Sequence, residues 1–252
     1  MSETLILERV ESHLDRLRLP RIKEILQETI KIAEEKCKSH LTVLDDLLSE
    51  EVAQKEQRRV ETALRTSGLP FVKSIDEFDF VFQPKLDKQK VMSLFDLSFI
   101  GRKENVIFLG PPGVGKTHLA VALAVKASQA GISIYFTSME DLIAKLKDDQ
   151  QNGRQGRGRS YQKSALVIVD EVGYTPIDRS ECNLFFRFVA SRYEKASTII
   201  TSNKAFNDWA ELFHDQVIVS AILDRLLHHC SIINVKGNSY RLKGQALKSD
   251  SK

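Results

Sequence analysis

Paired cysteines, long apolar runs and a dominant charge are all missing from this sequence. Its three cysteines, Cys37, Cys182 and Cys230, lie far apart and are odd in number. That argues against a disulfide framework or a cysteine-based zinc site and suits a reducing compartment. No apolar stretch approaches the ~18 residues that a membrane helix needs. The opening Met1-Ser2-Glu3-Thr4-Leu5-Ile6-Leu7-Glu8-Arg9 carries acids near its front and no long apolar core, unlike a signal peptide. A cytoplasmic protein with no membrane partner is expected. The excess of base is small: 37 Lys and Arg against 34 Asp and Glu leave +3 over 252 residues. Where the charges fall therefore matters more than their sum. The length suits one α/β domain and a smaller module.

Residues 1–66 carry no strand pattern. Leu7, Val10, Leu14 and Leu17 recur at helical spacing, as do Ile22, Ile25, Leu26 and Ile30, then Val43, Leu44, Leu47 and Leu48. Pro20 separates the first two helices, and Thr42 is placed to cap the third. Such a module either buries its own stripes or docks a partner or DNA. Ser67-Gly68-Leu69-Pro70 reads as a linker. Phe71, Phe78, Phe80 and Phe82 follow in an extended or irregular stretch, so residues 67–104 form a linker and the start of a second module.

From Asn105 the pattern becomes α/β. Strands are predicted at 105–110, 132–136, 165–170, 197–202 and 231–235, and helices at 120–130, 139–147, 181–193 and 217–227. The run Ala165–Asp170 is apolar up to its last residue, as a strand buried on both faces should be. Alternation of this kind implies a parallel sheet with helices on both faces, a three-layer α/β/α domain over residues 105–243. Residues 244–252 read as a flexible tail.

Gly110-Pro111-Pro112-Gly113-Val114-Gly115-Lys116-Thr117 matches G-x-x-x-x-G-K-[ST], between a predicted strand and a predicted helix. Glycines let the backbone turn its N–H groups toward phosphate, and a helix N-terminus favours negative charge. Lys116 is expected to reach the β- and γ-phosphates of ATP, and Thr117 to offer its hydroxyl to Mg²⁺. The nucleotide site is expected to span Gly110 to His118. A chance Gly-rich turn would lack the flanking strand and helix. Asp170 and Glu171 close the third predicted strand. Asp170 is placed to hold Mg²⁺ and Glu171 to polarise water. If Glu171 is only a solvated acid, the chain is a nucleotide-gated switch rather than an ATPase. Asn203, ending Thr201-Ser202-Asn203, is either a holder of the catalytic water or an ordinary turn residue. Arg225 is either a charge-neutralising arginine from a neighbouring subunit or one half of a surface ion pair, for instance with Asp224.

Gly153–Lys163 is basic and Gly-rich. Arg154, Arg157, Arg159 and Lys163, beside an aromatic and extended by Lys145 and Lys147, suit contact with a DNA backbone; the alternative is a solubilising loop. His228-His229-Cys230 resembles a ligand set, but adjacent side chains at a helix end are expected to diverge and pack. Asp45-Asp46 reads as a solvated helix face.

The chain resembles the IstB-like AAA+ ATPases, transposition helpers of IS21-type insertion sequences, with DnaC-type helicase loaders as wider relatives. Asp170–Tyr174, Thr198–Asn203, Ala221–His229 and Gly237–Arg241 carry that resemblance over nearly the whole chain. It implies a P-loop AAA+ domain with a small N-terminal all-α domain. It makes Asn203 the sensor-I residue, Arg225 an arginine finger acting on a neighbour's ATP, and Arg241 a nucleotide-sensing residue. It implies a homo-oligomer with shared ATP sites that assembles on duplex DNA and assists a separate IstA-type transposase; the alternative is a DnaC-type replicative helicase loader. It also weights the region Lys145–Lys163 toward DNA. Phe78 and Phe80 either flank the adenine or pack in the core. Nothing matches a transposase's acidic triad, and no acceptor pocket or Arg-rich lid suggests a small-molecule kinase.

Overall fold

The computed structural model describes residues 3–153, 160–213 and 215–242. It divides into two compact units, Met1–Thr62 and Ala63–Lys252.

The first unit holds helices α1 (Glu3–Leu17), α2 (Pro20–Glu35) and most of α3 (His40–Thr66). Pro20 is the first residue of α2, where its missing N–H costs nothing and its φ already suits the helix. The cap of α3 is Ser39 rather than Thr42: the Ser39 hydroxyl accepts the Thr42 amide at 3.2 Å, so the helix starts earlier than its apolar run suggests. Leu14, Ile22, Leu26 and Leu47 form a small buried core, but the stripes are only partly covered. Leu17 and Leu44 remain 67% and 52% exposed.

The second unit is built on five strands, β1 (Asn105–Leu109), β2 (Ile134–Ser138), β3 (Leu166–Val172), β4 (Ser197–Ser202) and β5 (Cys230–Asn234). They pair in parallel in the order β2-β3-β4-β1-β5. Alternate strand residues enter two cores, because side chains alternate across a strand. Val106, Phe108 and Ile168 pack with α6 (Lys116–Gln129). Ile107, Val167 and Val169 pack with α7 (Met139–Gln151), α9 (Arg179–Arg192) and α11 (Gln216–Leu227). The result is the expected α/β/α arrangement.

Several boundaries differ from the sequence reading. β2 begins at Ile134 because Ile132 is still in the turn, its amide bonded to the Ala127 carbonyl at 2.9 Å. β3 continues past Asp170 through a bulge. Short helices α4 (Lys88–Ser93), α5 (Ser98–Gly101), α8 (Ser160–Lys163) and α10 (Phe206–Leu212) carry no period long enough to read. Among the described residues no helix is long and apolar enough to cross a membrane.

Candidate functional site

Strand order places the site. β3, β4 and β1 are neighbours, so the segments leaving their C-terminal ends converge. A cavity of about 520 Å³ opens there, and Pro112, Gly113, Val114, Gly115, Lys116, Thr117 and His118 line it with Asp170, Glu171, Asn203 and Arg241. Gly110 and Pro111 stand behind it as the turn. Gly113 and Gly115 have φ of 80° and 103°, backbone that side chains rarely adopt. Phe78 packs edge-on against the His118 ring at 5.4 Å and closes on Gly115, where a Cβ would lie 2.6 Å from its ring. Phe78 thus belongs both to the core and to the cavity wall, whereas Phe80 packs behind it.

Lys116 is 9% exposed and donates to the carbonyls of Gly110 at 2.7 Å and Pro111 at 2.9 Å. Burial lowers its pKa; Asp170 and Glu171 pull it back up, and Arg241 opposes them. The Thr117 hydroxyl lies 3.1 and 3.2 Å from the two Asp170 carboxylate oxygens. These all-oxygen donors, one carboxylate and one hydroxyl, suit a hard divalent ion such as Mg²⁺.

The β3–β4 ladder slips between Val169 and Val172, leaving Asp170 and Glu171 opposite Thr201 alone. Such a bulge re-aims side chains. Asp170 stays 8% exposed, while Glu171 turns outward to the cavity with a left-handed φ of 61°. Glu171 also borders a second cavity of about 440 Å³ beside α7. Asn203 is half-buried at the end of β4, and its amide oxygen has no protein partner among the described residues.

Other predicted residues lie elsewhere. Arg225, on α11, is not in the cavity wall. Its guanidinium sits 4.9 Å over the Phe186 ring and donates to the Ala221 carbonyl at 2.8 Å. Lys145 lies 5.5 Å over the Tyr135 ring, and Lys147 pairs with Glu181 at 2.6 Å. Lys163 is exposed on α8. Arg154, Arg157 and Arg159 fall outside the described residues, as does the tail 244–252. The aromatic of the basic stretch, Tyr161, is 1% exposed with its hydroxyl bonded to the Asp149 carboxylate, so it is core rather than a stacking platform.

The expectation that His228 and His229 diverge and pack is overturned. Both are exposed, with ring centroids 4.0 Å apart, and ligand atoms of both lie within 4.8 Å of one on Glu194. His228 remains helical in backbone, which carries the two rings to the same side. Its Nδ1 already has the Tyr193 hydroxyl at 2.8 Å.

Two residues at the site escaped the sequence reading. Gln83, 2% exposed, donates to the carbonyls of Val114 at 3.2 Å and Asn238 at 3.1 Å. No spacing signals a contact across 155 residues. Thr201 sits between Asp170 and Glu171; the sequence offered it beside Asn203, without a partner.

The chain is similar throughout to known proteins. Residues 12–248 match the family described as IstB-like ATP binding protein. A protein named for ATP binding in insertion sequence IS21 of Pseudomonas aeruginosa is 46% identical over 93% of this chain and 89% of its own length. Its counterpart in IS5376 of Geobacillus stearothermophilus is 41% identical over 96% of this chain and 97% of its own. Among solved structures, the DnaC helicase loader superposes with a TM-score of 0.52 at 22% identity, covering 69% of this chain and 98% of its own. AMPPCP-bound DnaA from Aquifex aeolicus gives 0.55 at 20%, covering 72% and 56%. At such identities the likeness is one of fold.

Proposed function

We propose that this chain, which belongs to the IstB-like ATP binding protein family, is a DNA-stimulated AAA+ ATPase that assists a separate transposase. The observation that carries the reading is the pairing of Thr117 with Asp170 at 3.1 Å beside the P-loop, with Glu171 turned outward on a bulge.

The phosphates of ATP would lie against the amides of Gly113–Thr117 and the N-terminus of α6. Lys116 would exchange the carbonyls of Gly110 and Pro111 for β- and γ-phosphate oxygens. Thr117 and Asp170 would hold Mg²⁺, which supplies positive charge to those oxygens when bound. The free Asn203 amide oxygen would hold the attacking water, and Glu171 would take its proton. The water oxygen bonds to the γ-phosphorus, the bond to the bridging oxygen breaks, and that electron pair leaves with ADP. Arg241 faces the same cavity and would sense the phosphates. Arg225 lies outside it, which suits a role on a neighbouring subunit's nucleotide in a homo-oligomer.

Residues 1–66 would form a helical module, residues 67–104 a linker and the start of the ATPase module, and residues 105–243 the ATPase domain, working in the cytoplasm. Duplex DNA would meet the basic stretch at Lys145, Lys147, Arg154, Arg157, Arg159 and Lys163, with Lys147 exchanging Glu181 for phosphate. The names of the relatives favour the transposition reading. A helicase-loading role has only the fold behind it.

Two measurements test this. Duplex DNA should raise ATP turnover by the purified chain. Glu171→Gln should lower turnover at least ~100-fold, the scale of a lost general base, while leaving an ATP-bound oligomer on DNA visible by light scattering. Turnover indifferent to DNA of any form would sink the proposal.

A further inference from the structure

We infer that Thr201 is a positioning residue: through one buried hydroxyl it holds Asp170 and Glu171 in their working places. The inference rests on the ATPase reading of the site and deepens it.

A bulge leaves ladder groups without backbone partners. Here the orphaned donor is the Glu171 amide, and the Thr201 Oγ1 accepts it at 3.0 Å. The same oxygen donates its proton to the Asp170 Oδ1 through a short bond. A hydroxyl has one donor and room for further acceptance, so it can bridge the two residues in this way. A backbone group would offer only one of the two functions. The bridge answers two needs. Glu171 has a left-handed φ of 61°, which a non-glycine residue keeps only when its surroundings impose it. Asp170 also meets the Thr117 hydroxyl. Thr201 is thus the second hydroxyl donor on that carboxylate among the described residues, and it comes from the sheet rather than from the phosphate loop. Thr201 is 1% exposed and lies in the cavity wall beneath the two acids.

Valine has the shape of threonine without the hydroxyl; serine keeps the hydroxyl without the methyl. Thr201→Val should lower kcat ~10- to 100-fold, the range for losing a hydrogen bond to a charged group, and leave KM for ATP within ~2-fold. It should also raise the Mg²⁺ concentration for half-maximal turnover. Thr201→Ser should recover most of the lost rate, which a packing role would not allow. If the unaltered chain fails to hydrolyse ATP, the ATPase reading falls, and binding of a fluorescent ATP analogue still decides the role of Thr201. Mg²⁺ should then tighten binding to the unaltered chain, relative to EDTA, and do so less in Thr201→Val. The inference is overturned if Thr201→Val matches the unaltered chain in both kcat and Mg²⁺ response. It is equally overturned if Thr201→Ser loses as much as Thr201→Val.

Discussion

Gly113 shows how one residue carries a constraint that its neighbours do not. Its φ of 80° is strained for any other residue, and a Cβ there would lie 2.9 Å from the Ser239 Cβ and collide with the Ser239 hydroxyl. The Tyr240 amide also bonds to the Gly113 carbonyl at 2.9 Å, so the loop cannot give way without moving the segment that carries Arg241. Gly113→Ala should therefore weaken nucleotide binding while the core stays folded. The measurement is the rise in unfolding midpoint on adding ATP, which follows affinity directly. Gly101→Ala is the contrast: beyond its chain neighbours and its own helix backbone, no atom of the described residues lies within 4 Å of its would-be Cβ, so that variant should keep the full rise and gain ~0.5–1 kcal/mol of stability. An equal rise in both variants would refute the argument. Gly113, Lys116 and Thr117 were legible because the chemistry of a phosphate loop is written in contiguous residues. Thr201 and Gln83 were not, because each works by a contact across the sheet or between distant segments that no local spacing encodes.

At the scale of elements, α2 is capped from outside itself. Leu19 precedes it and offers no acceptor, so the Glu51 carboxylate of α3, 2% exposed, accepts the amides of Arg21 at 2.9 Å and Ile22 at 3.0 Å. Glu51→Ala should cost ~1–3 kcal/mol, since one buried and one half-buried donor lose their partner; Glu51→Gln, which keeps an acceptor oxygen, should cost less. A urea titration followed by helical circular dichroism measures both, and equal midpoints for all three proteins would contradict the role. Such a cap joins residues 30 apart and was invisible in the sequence, where Pro20 gave only the break. The strands were far more legible. The run Leu166–Val169 is wholly buried, and continuous apolarity reports that directly. The extension of β3 to Val172 was not legible, because Asp170-Glu171 ends the apolar run while the backbone continues through the bulge. Helix α10, seven residues long, is too short to display a period. The convergence of Thr117, Asp170 and Asn203 follows from the order β3-β4-β1, which alternation of strands and helices does not specify.

For the whole molecule, the question is whether one chain holds a complete site. The cavity has Lys116 within its wall and Arg241 on its rim, but Arg225 stands on α11 with its guanidinium over Phe186. That stacking is worth on the order of 1–2 kcal/mol at this half-buried position, so Arg225→Ala should leave the fold intact. If Arg225 serves a neighbour's ATP, Arg225→Ala should bind ATP and fail to turn it over. Lys116→Ala should fail for the opposite reason, lacking its own phosphate contact while still presenting Arg225. Mixing the two places some intact P-loops beside intact arginines. With random mixing in a closed ring, half of the subunits keep Lys116 and half of their neighbours keep Arg225, so about a quarter of the sites are complete. Turnover of the mixture should rise toward that fraction of the unaltered rate, and only under conditions that allow assembly. A mixture no faster than the average of its two components would place Arg225 in its own subunit's chemistry, and the site would then have to close by movement of α11.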